Sequence, residues 1–317
     1  MAGTRLRDRL PHERDTEAFV FGLLALFVAG VTFWSSLLAD AAGPLLASLP
    51  PRVGSPFLLG AVVWHLGGLG LGAVVYARAR DVGLPMGWPT RDRHWLLVAA
   101  VTPPVLVCVA TVVGTVVTDT SLASMVGTRY GPEADLGFVV GSVLPSAAFG
   151  AAGYGLLYHG AVQGRLRRLL PHSHAAALTP LLVWFSEPIP AAGFRTIVRE
   201  GVPPMLALSL GVAATVGLWF GTGLCYRAWV ERTPKRLVRP MYVPLLALGL
   251  LGFVTALGAA VDLPRAGYDL LRVATVGVGA YGYERTRSVL TPVLALATFE
   301  VAVGVVVYAE SMTVLAT

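Results

Sequence analysis

Apolar runs of about twenty residues recur along this chain, and that spacing leaves few folds open to it. A helix crossing the hydrocarbon core of a bilayer needs about 20 mostly apolar residues. Eight stretches meet that requirement: Ala18–Ala39, Pro56–Tyr76, Trp95–Val117, Leu136–Tyr158, Ala175–Ala192, Val202–Tyr226, Pro240–Val261 and Val289–Tyr308. Backbone in lipid must satisfy its own hydrogen bonds, which a helix does within one segment. The expected fold is therefore all-α, a polytopic membrane protein built as a bundle of about eight transmembrane helices. A polar tail, residues 1–17, precedes a single transmembrane domain over 18–317, and no polar stretch between the runs is long enough for a soluble domain. Glu187, Pro188 and Pro190 interrupt the fifth run, and Leu270–Tyr281 is apolar but short, which suits an interfacial or re-entrant segment.

Composition narrows the class further. Only 13% of residues are charged and 55% are hydrophobic, with a mean hydropathy of +0.69. Soluble domains carry about 25% charged residues, so a soluble enzyme or a disordered chain is excluded. Cys108 and Cys225 both sit inside apolar runs, where free cysteine behaves as a small hydrophobe rather than as a disulfide or metal ligand. The single lysine, Lys235, lies in a polar loop, so no intramembrane lysine is available for a retinal Schiff base. Ala18–Ala39 exceeds the 7–15 residues of a secretory apolar segment and reads as a retained anchor.

The charge is +6 and the pI about 9.6, and the location of that charge gives an orientation. With the N-terminus inside, the alternate segments 1–17, 77–94, 159–174 and 227–239 hold 16 Lys and Arg, while 40–55, 118–135, 193–201 and 262–288 hold 8. That is the bias of a cell-membrane protein with a cytoplasmic N-terminus. It accounts for the basic pI without nucleic acid and makes the lipid bilayer the first partner.

Small residues at helical spacing, Gly68 with Gly72, Gly137 with Gly141, and Gly217 with Gly221, suit close backbone approach between helices in lipid. Trp95, Tyr158, Tyr226 and Tyr308 stand at run ends, as interfacial aromatics do. Gly277, Gly279 and Gly282 match G-x-G-x-x-G, but the dinucleotide fingerprint needs a strand before it and a βαβ unit around it; the match is read as chance, and no cofactor is expected. Pro103-Pro104, Pro145 and the Pro188–Pro190 break imply a protein-lined cavity, since irregular backbone at membrane depth is tolerated only there.

Ionisable groups inside the runs are few: His65, Glu187 and Glu300. Such groups face a bundle interior. Glu300 is read as a proton relay, an arginine partner or a hydrogen-bonded structural group, and His65 as a packing histidine. Neither stands at metal-ligand spacing, so no metal site is expected. The richest polar cluster closes the fourth run, Tyr154-Gly-Leu-Leu-Tyr158-His159-Gly160-Ala-Val-Gln163-Gly-Arg165-Leu-Arg167-Arg168. Its arginines suit a membrane exit; the His-Gly and Gln-Gly-Arg-Leu-Arg pattern asks for more.

This stretch resembles the first motif of the CAAX-type intramembrane protease family (CPBP, also called Abi). That motif reads as a glutamate pair, two or three apolar residues, Arg-Gly, an apolar pair and Gln-x-x-Leu. The glutamate pair falls on Tyr154 and Gly155 and the arginine on His159, while Gly160, Gln163 and Leu166 match. Val82-Gly83-Leu84 and Arg91-Asp92-Arg93 resemble the family's lead-in, and Val243-Pro244 with the basic loop before it resembles the approach to its third motif. The second motif falls on Val183 and Glu187 and the third on Leu248 and Gly252. The resemblance covers about residues 18–262 and implies an eight-helix fold. In the family the glutamate activates water and the histidines steady the developing charge. General-base hydrolysis needs a group that takes a proton near working pH, and here the glutamate pair and the motif histidines are missing. His159 and Glu187 are the remaining catalytic candidates, and Tyr154, Gln163 and Glu300 the binding candidates. The expected function is a non-catalytic relative that binds a lipid, a hydrophobic peptide or a membrane partner. An active peptidase with an altered site, and a small-solute or proton-coupled transporter using Glu300, are the alternatives.

Overall fold

The computed structural model describes residues 10–48, 56–132, 134–186 and 263–316, and all regular structure in them is helical. α1 is Leu10–Ser48. α2 (Pro56–Ala61), a π-helical stretch Val62–Gly70 and α3 (Leu71–Ala79) follow without a break. α4 is His94–Thr118 and α5 is Leu122–Val126. α6 (Leu136–Tyr154) runs through a second π-helical stretch, Gly155–Gln163, into α7 (Gly164–Leu166). α8 is His172–Ser186, α9 is Leu263–Thr286 and α10 is Leu290–Ala316.

Four of these rods are long and apolar enough to cross a membrane: Leu58–Ala79, His94–Val117, Leu136–Leu166 and Leu290–Thr313. They coincide with the second, third, fourth and eighth predicted runs. The first run lies within α1, the described part of the fifth is the 15-residue α8, and the sixth and seventh lie outside the described residues. Four of the eight predicted spans are thus candidate spans among the described residues. The surface agrees with a membrane setting. Leu97, Val101, Val105, Val109, Val112 and Val116 form an exposed stripe down α4, from 68% exposed at Leu97 to 78% at Val116. In water such a stripe would be unstable, whereas against lipid tails it costs nothing.

The ends of the helices are set by local chemistry. The Asp135 side chain accepts from the Phe138 N–H at 2.6 Å and caps α6. Asp119 ends α4 in the left-handed region, with φ 50°. The Glu310 carboxylate accepts the Leu122 and Ala123 N–H groups at 3.0 and 2.7 Å, which holds α5 over the end of α10. Helices run straight through Pro103, Pro104 and Pro145. Pro188 and Pro190 lie outside the described residues.

Two buried clusters hold the rods together. Leu24, Val28, Leu69, Leu157, Tyr158, Leu182 and Val276 belong to one, and Val107, Leu122, Phe299, Val303 and Val307 to the other. Glycine sets the closest approaches. A Cβ on Gly68 would lie 2.4 Å from Ser35 Oγ, and one on Gly72 would lie 2.8 Å from a Val31 methyl. The expected Gly68/Gly72 face therefore packs on α1. Gly141 meets nothing within 4 Å, so the Gly137/Gly141 pair does not act the same way. Gly217 and Gly221 lie outside the described residues.

The region 262–288 departs most from expectation. It is not a loop: 24 of its residues form α9, about 36 Å long at about 1.5 Å per residue. A tight turn returns the chain into α10, with the Val289 N–H donating to Pro85 O at 2.9 Å and Ser288 Oγ donating to Gly87 O at 2.6 Å. α9 therefore runs antiparallel along the α10 span, and Arg285 and Arg287 sit at the same end of the bundle as residues 80–93. Ser35 donates to Trp64 O and Phe27 stacks on Tyr76, so α1 is antiparallel to α3 and enters from that end too.

Candidate functional site

The second π-helical stretch places its polar side chains in the core rather than at a membrane exit. Its backbone bonds reach five residues back, as the Gly164 N–H does to His159 O. π-Helical turns are rare and gather at functional sites. His159 and Gln163 are both 0% exposed. The third span continues to Leu166, past the predicted end at Tyr158, so these two residues are part of the bundle interior.

His159 and Gln163 belong to one hydrogen-bonded array. Gln163 Nε2 stands 2.8 Å from Ala280 O and 2.8 Å from Glu284 Oε1, both acceptors. The amide nitrogen must therefore face them, leaving Oε1 to accept from His159 Nδ1 at 2.8 Å. This fixes the histidine tautomer: Nδ1 carries the proton and Nε2 keeps its lone pair. Nε2 is buried with no hydrogen-bond partner among the described residues. It lies 3.2 Å from where a Cβ on Gly279 would be, so α9 closes over it. At the other end of the array Glu284 Oε2 pairs with Arg167 Nε at 3.1 Å and lies 3.5 Å from His172 Nδ1. The Arg167 guanidinium also sits 5.3 Å from the Tyr283 ring centroid.

A cavity of about 470 Å³ opens beside this end. Val82, Gly83, Leu84, Pro85, Gly164, Arg167, Arg168, His172 and Tyr283 line it. The loop can lie this close because Gly160 and Gly164 carry no side chain; a Cβ on either would meet Leu84 or Val82 within 2.8 Å. Arg168 donates to the carbonyls of Arg80 and Asp81 and so pins the same loop.

A second polar grouping lies around Tyr154. Its ring stacks on Tyr158 at 5.2 Å, approaches His65 at 5.7 Å, and lies 5.1 Å beneath the Arg272 guanidinium. Arg272 is the charged group whose field reaches both Glu300 and His65. The binding candidates are thereby divided: Gln163 belongs to the His159 array, whereas Tyr154 and Glu300 belong to this one. Glu187, Leu248 and Gly252 lie outside the described residues.

α9 joins the two groupings, and sequence reasoning missed its role. It supplies Arg272 to one, and Ala280, Tyr283 and Glu284 to the other. The glycines read as a chance dinucleotide match lie within this helix, with no strand before them. Two of them are packing positions: a Cβ on Gly279 would lie 2.9 Å from Pro292, and one on Gly282 would lie 2.7 Å from Thr291. No group of three or more His, Cys, Asp or Glu residues suited to a metal occurs among the described residues. No family model, curated protein or solved structure matches the chain.

Proposed function

We propose that this is a multi-pass membrane protein of CPBP-like design that binds an amphiphile, a lipid in the first instance, and does not cut it. The observation that carries this reading is the contrast between a sealed polar array and an open cavity beside it. A general base must reach water or substrate, yet His159 is 0% exposed and Gly279 closes on its free nitrogen. The positions that correspond to the family's glutamate pair hold Tyr154 and Gly155, and the Tyr154 ring is engaged with Arg272 and Tyr158. The cavity offers what an amphiphile needs, an apolar wall at Val82, Leu84 and Pro85 and cationic groups at Arg167 and Arg168.

The cell membrane, with the N-terminus cytoplasmic, is the setting that the charges favour. Arg78, Arg80, Arg91, Arg93, Arg165, Arg167, Arg168, Arg285 and Arg287 gather at one end of the described helices, against Arg129 and Arg265 at the other. Moving Arg285 and Arg287 from the outer to the inner tally strengthens the positive-inside bias.

The test is native mass spectrometry of the purified full chain released from lipid nanodiscs, with a prenylated hydrophobic peptide assayed in parallel for cleavage. Retained lipid and an intact peptide are expected. Peptide cleavage abolished by His159→Ala would overturn the non-catalytic reading, and a chain that retains no amphiphile would overturn binding. The grouping of His65, Arg272 and Glu300 favours a second reading, a proton-coupled transporter, since ionisable groups in a bundle interior mark ion pathways. Proteoliposome uptake that survives Glu300→Gln unchanged would dispose of it.

A further inference from the structure

We infer that the cavity beside α7 is a headgroup site for the phosphate of an anionic membrane lipid; this rests on the amphiphile-binding reading and names its ligand chemistry. Among the described residues the lining contains two arginines and no carboxylate. Glu284 offsets Arg167 from behind the wall, at 3.1 Å. Among the described residues Arg168 has no such counter-charge at its guanidinium: it is held by the carbonyls of Arg80 and Asp81, which orient it and leave its charge intact. A guanidinium carries five N–H donors in a fixed fork, so two carbonyl bonds leave donors for a phosphate oxygen. His172 is 58% exposed at the first turn of α8 and adds a further polar group at the rim.

Location selects the source of the phosphate. The cavity lies where the third span ends, at the level of residues 80–93 and the α9–α10 turn, which is the arginine-rich end of the bundle. Basic pockets between membrane helices at such an end bind anionic lipid heads. Val82, Leu84 and Pro85 give the glycerol and upper acyl chain an apolar wall, while a soluble phosphate compound would use only the arginines.

The experiment uses the full chain in nanodiscs of phosphatidylcholine and phosphatidylglycerol at four to one, released into mild detergent for native mass spectrometry. The wild type is expected to retain phosphatidylglycerol in preference to phosphatidylcholine. Arg168→Gln should lower that preference about fivefold, equivalent to about 1 kcal/mol for one basic group at an anionic surface. Arg168→Lys, which keeps the charge, should retain most of it. The wild-type comparison stands alone if Arg168→Gln fails to fold. Equal retention of both lipids by the wild type, or a preference unchanged in folded Arg168→Gln, overturns the headgroup site while leaving amphiphile binding intact; retention of neither lipid overturns both. Inorganic phosphate that binds the lipid-free chain and displaces phosphatidylglycerol assigns the site to a soluble anion and overturns the lipid.

Discussion

Replacing Gln163 by leucine tests the polar array at its hinge. The side chains are close in size, so packing changes little, but three contacts vanish at once: His159 Nδ1, Ala280 O and Glu284 Oε1, each at 2.8 Å. Interhelical hydrogen bonds in membrane proteins average about 0.6 kcal/mol, with values up to about 1.7. Two such bonds, one to a carboxylate, together with the bond to His159 within the helix set the loss at about 2–4 kcal/mol, because the orphaned groups stay buried and find no water. The assay is reversible unfolding of the full chain in mixed micelles, followed by helicity and by steric trapping. A double-mutant cycle with Glu284→Ala isolates the shared part, for which coupling of about 0.5–3 kcal/mol is expected between directly bonded residues. Gln163→Leu within about 0.5 kcal/mol of wild type, with no coupling to Glu284, would refute the array and with it the assigned His159 tautomer.

Other perturbations test the packing and the chain path. Gly153→Ala places a Cβ 2.5 Å from His65 O, a backbone atom that cannot swing aside; a loss of about 1–3 kcal/mol is expected. Gly141→Ala, with nothing within 4 Å, should be neutral or slightly stabilising, and equal effects at the two sites in the same micelle assay would refute the His65–Gly153 approach. In a Cys108→Ser, Cys225→Ser background, Arg91→Cys and Arg285→Cys should react with an impermeant thiol reagent from the same side of sealed vesicles and Arg129→Cys from the other. Labelling of positions 91 and 285 from opposite sides would refute the α9–α10 hairpin.

Membrane architecture was legible because it depends on one variable, apolar length. The runs beginning at Pro56, Trp95, Leu136 and Val289 correspond to the four candidate spans to within a few residues, except that the third continues to Leu166. That extension was hidden because histidine, glutamine and arginine mimic a membrane exit. Only a partner on another helix makes their burial affordable, and that partner, Glu284, is 121 residues further on. α9 was hidden for the related reason. Arg265, Asp269, Arg272 and Glu284 cut its apolar stretch below spanning length, although α4, α5, α8 and α10 pack against the helix. Window hydropathy scores a helix against lipid, whereas α9 is mostly solvated by protein. The charge whose field reaches Glu300 was not legible, because Arg272 lies on that unforeseen helix.

The dependence of His159 and Gln163 on α9 imposes an order on biogenesis. The segment carrying these two residues leaves the ribosome more than a hundred residues before Ala280 and Glu284 are made. Throughout that interval the Gln163 amide lacks the acceptors that α9 supplies, which favours holding the segment in water, at the translocon or against a chaperone rather than in bare lipid. The hairpin of α9 and α10 is thus the closing piece of assembly: its arrival supplies the acceptors that let Gln163 sit at the buried centre of the bundle.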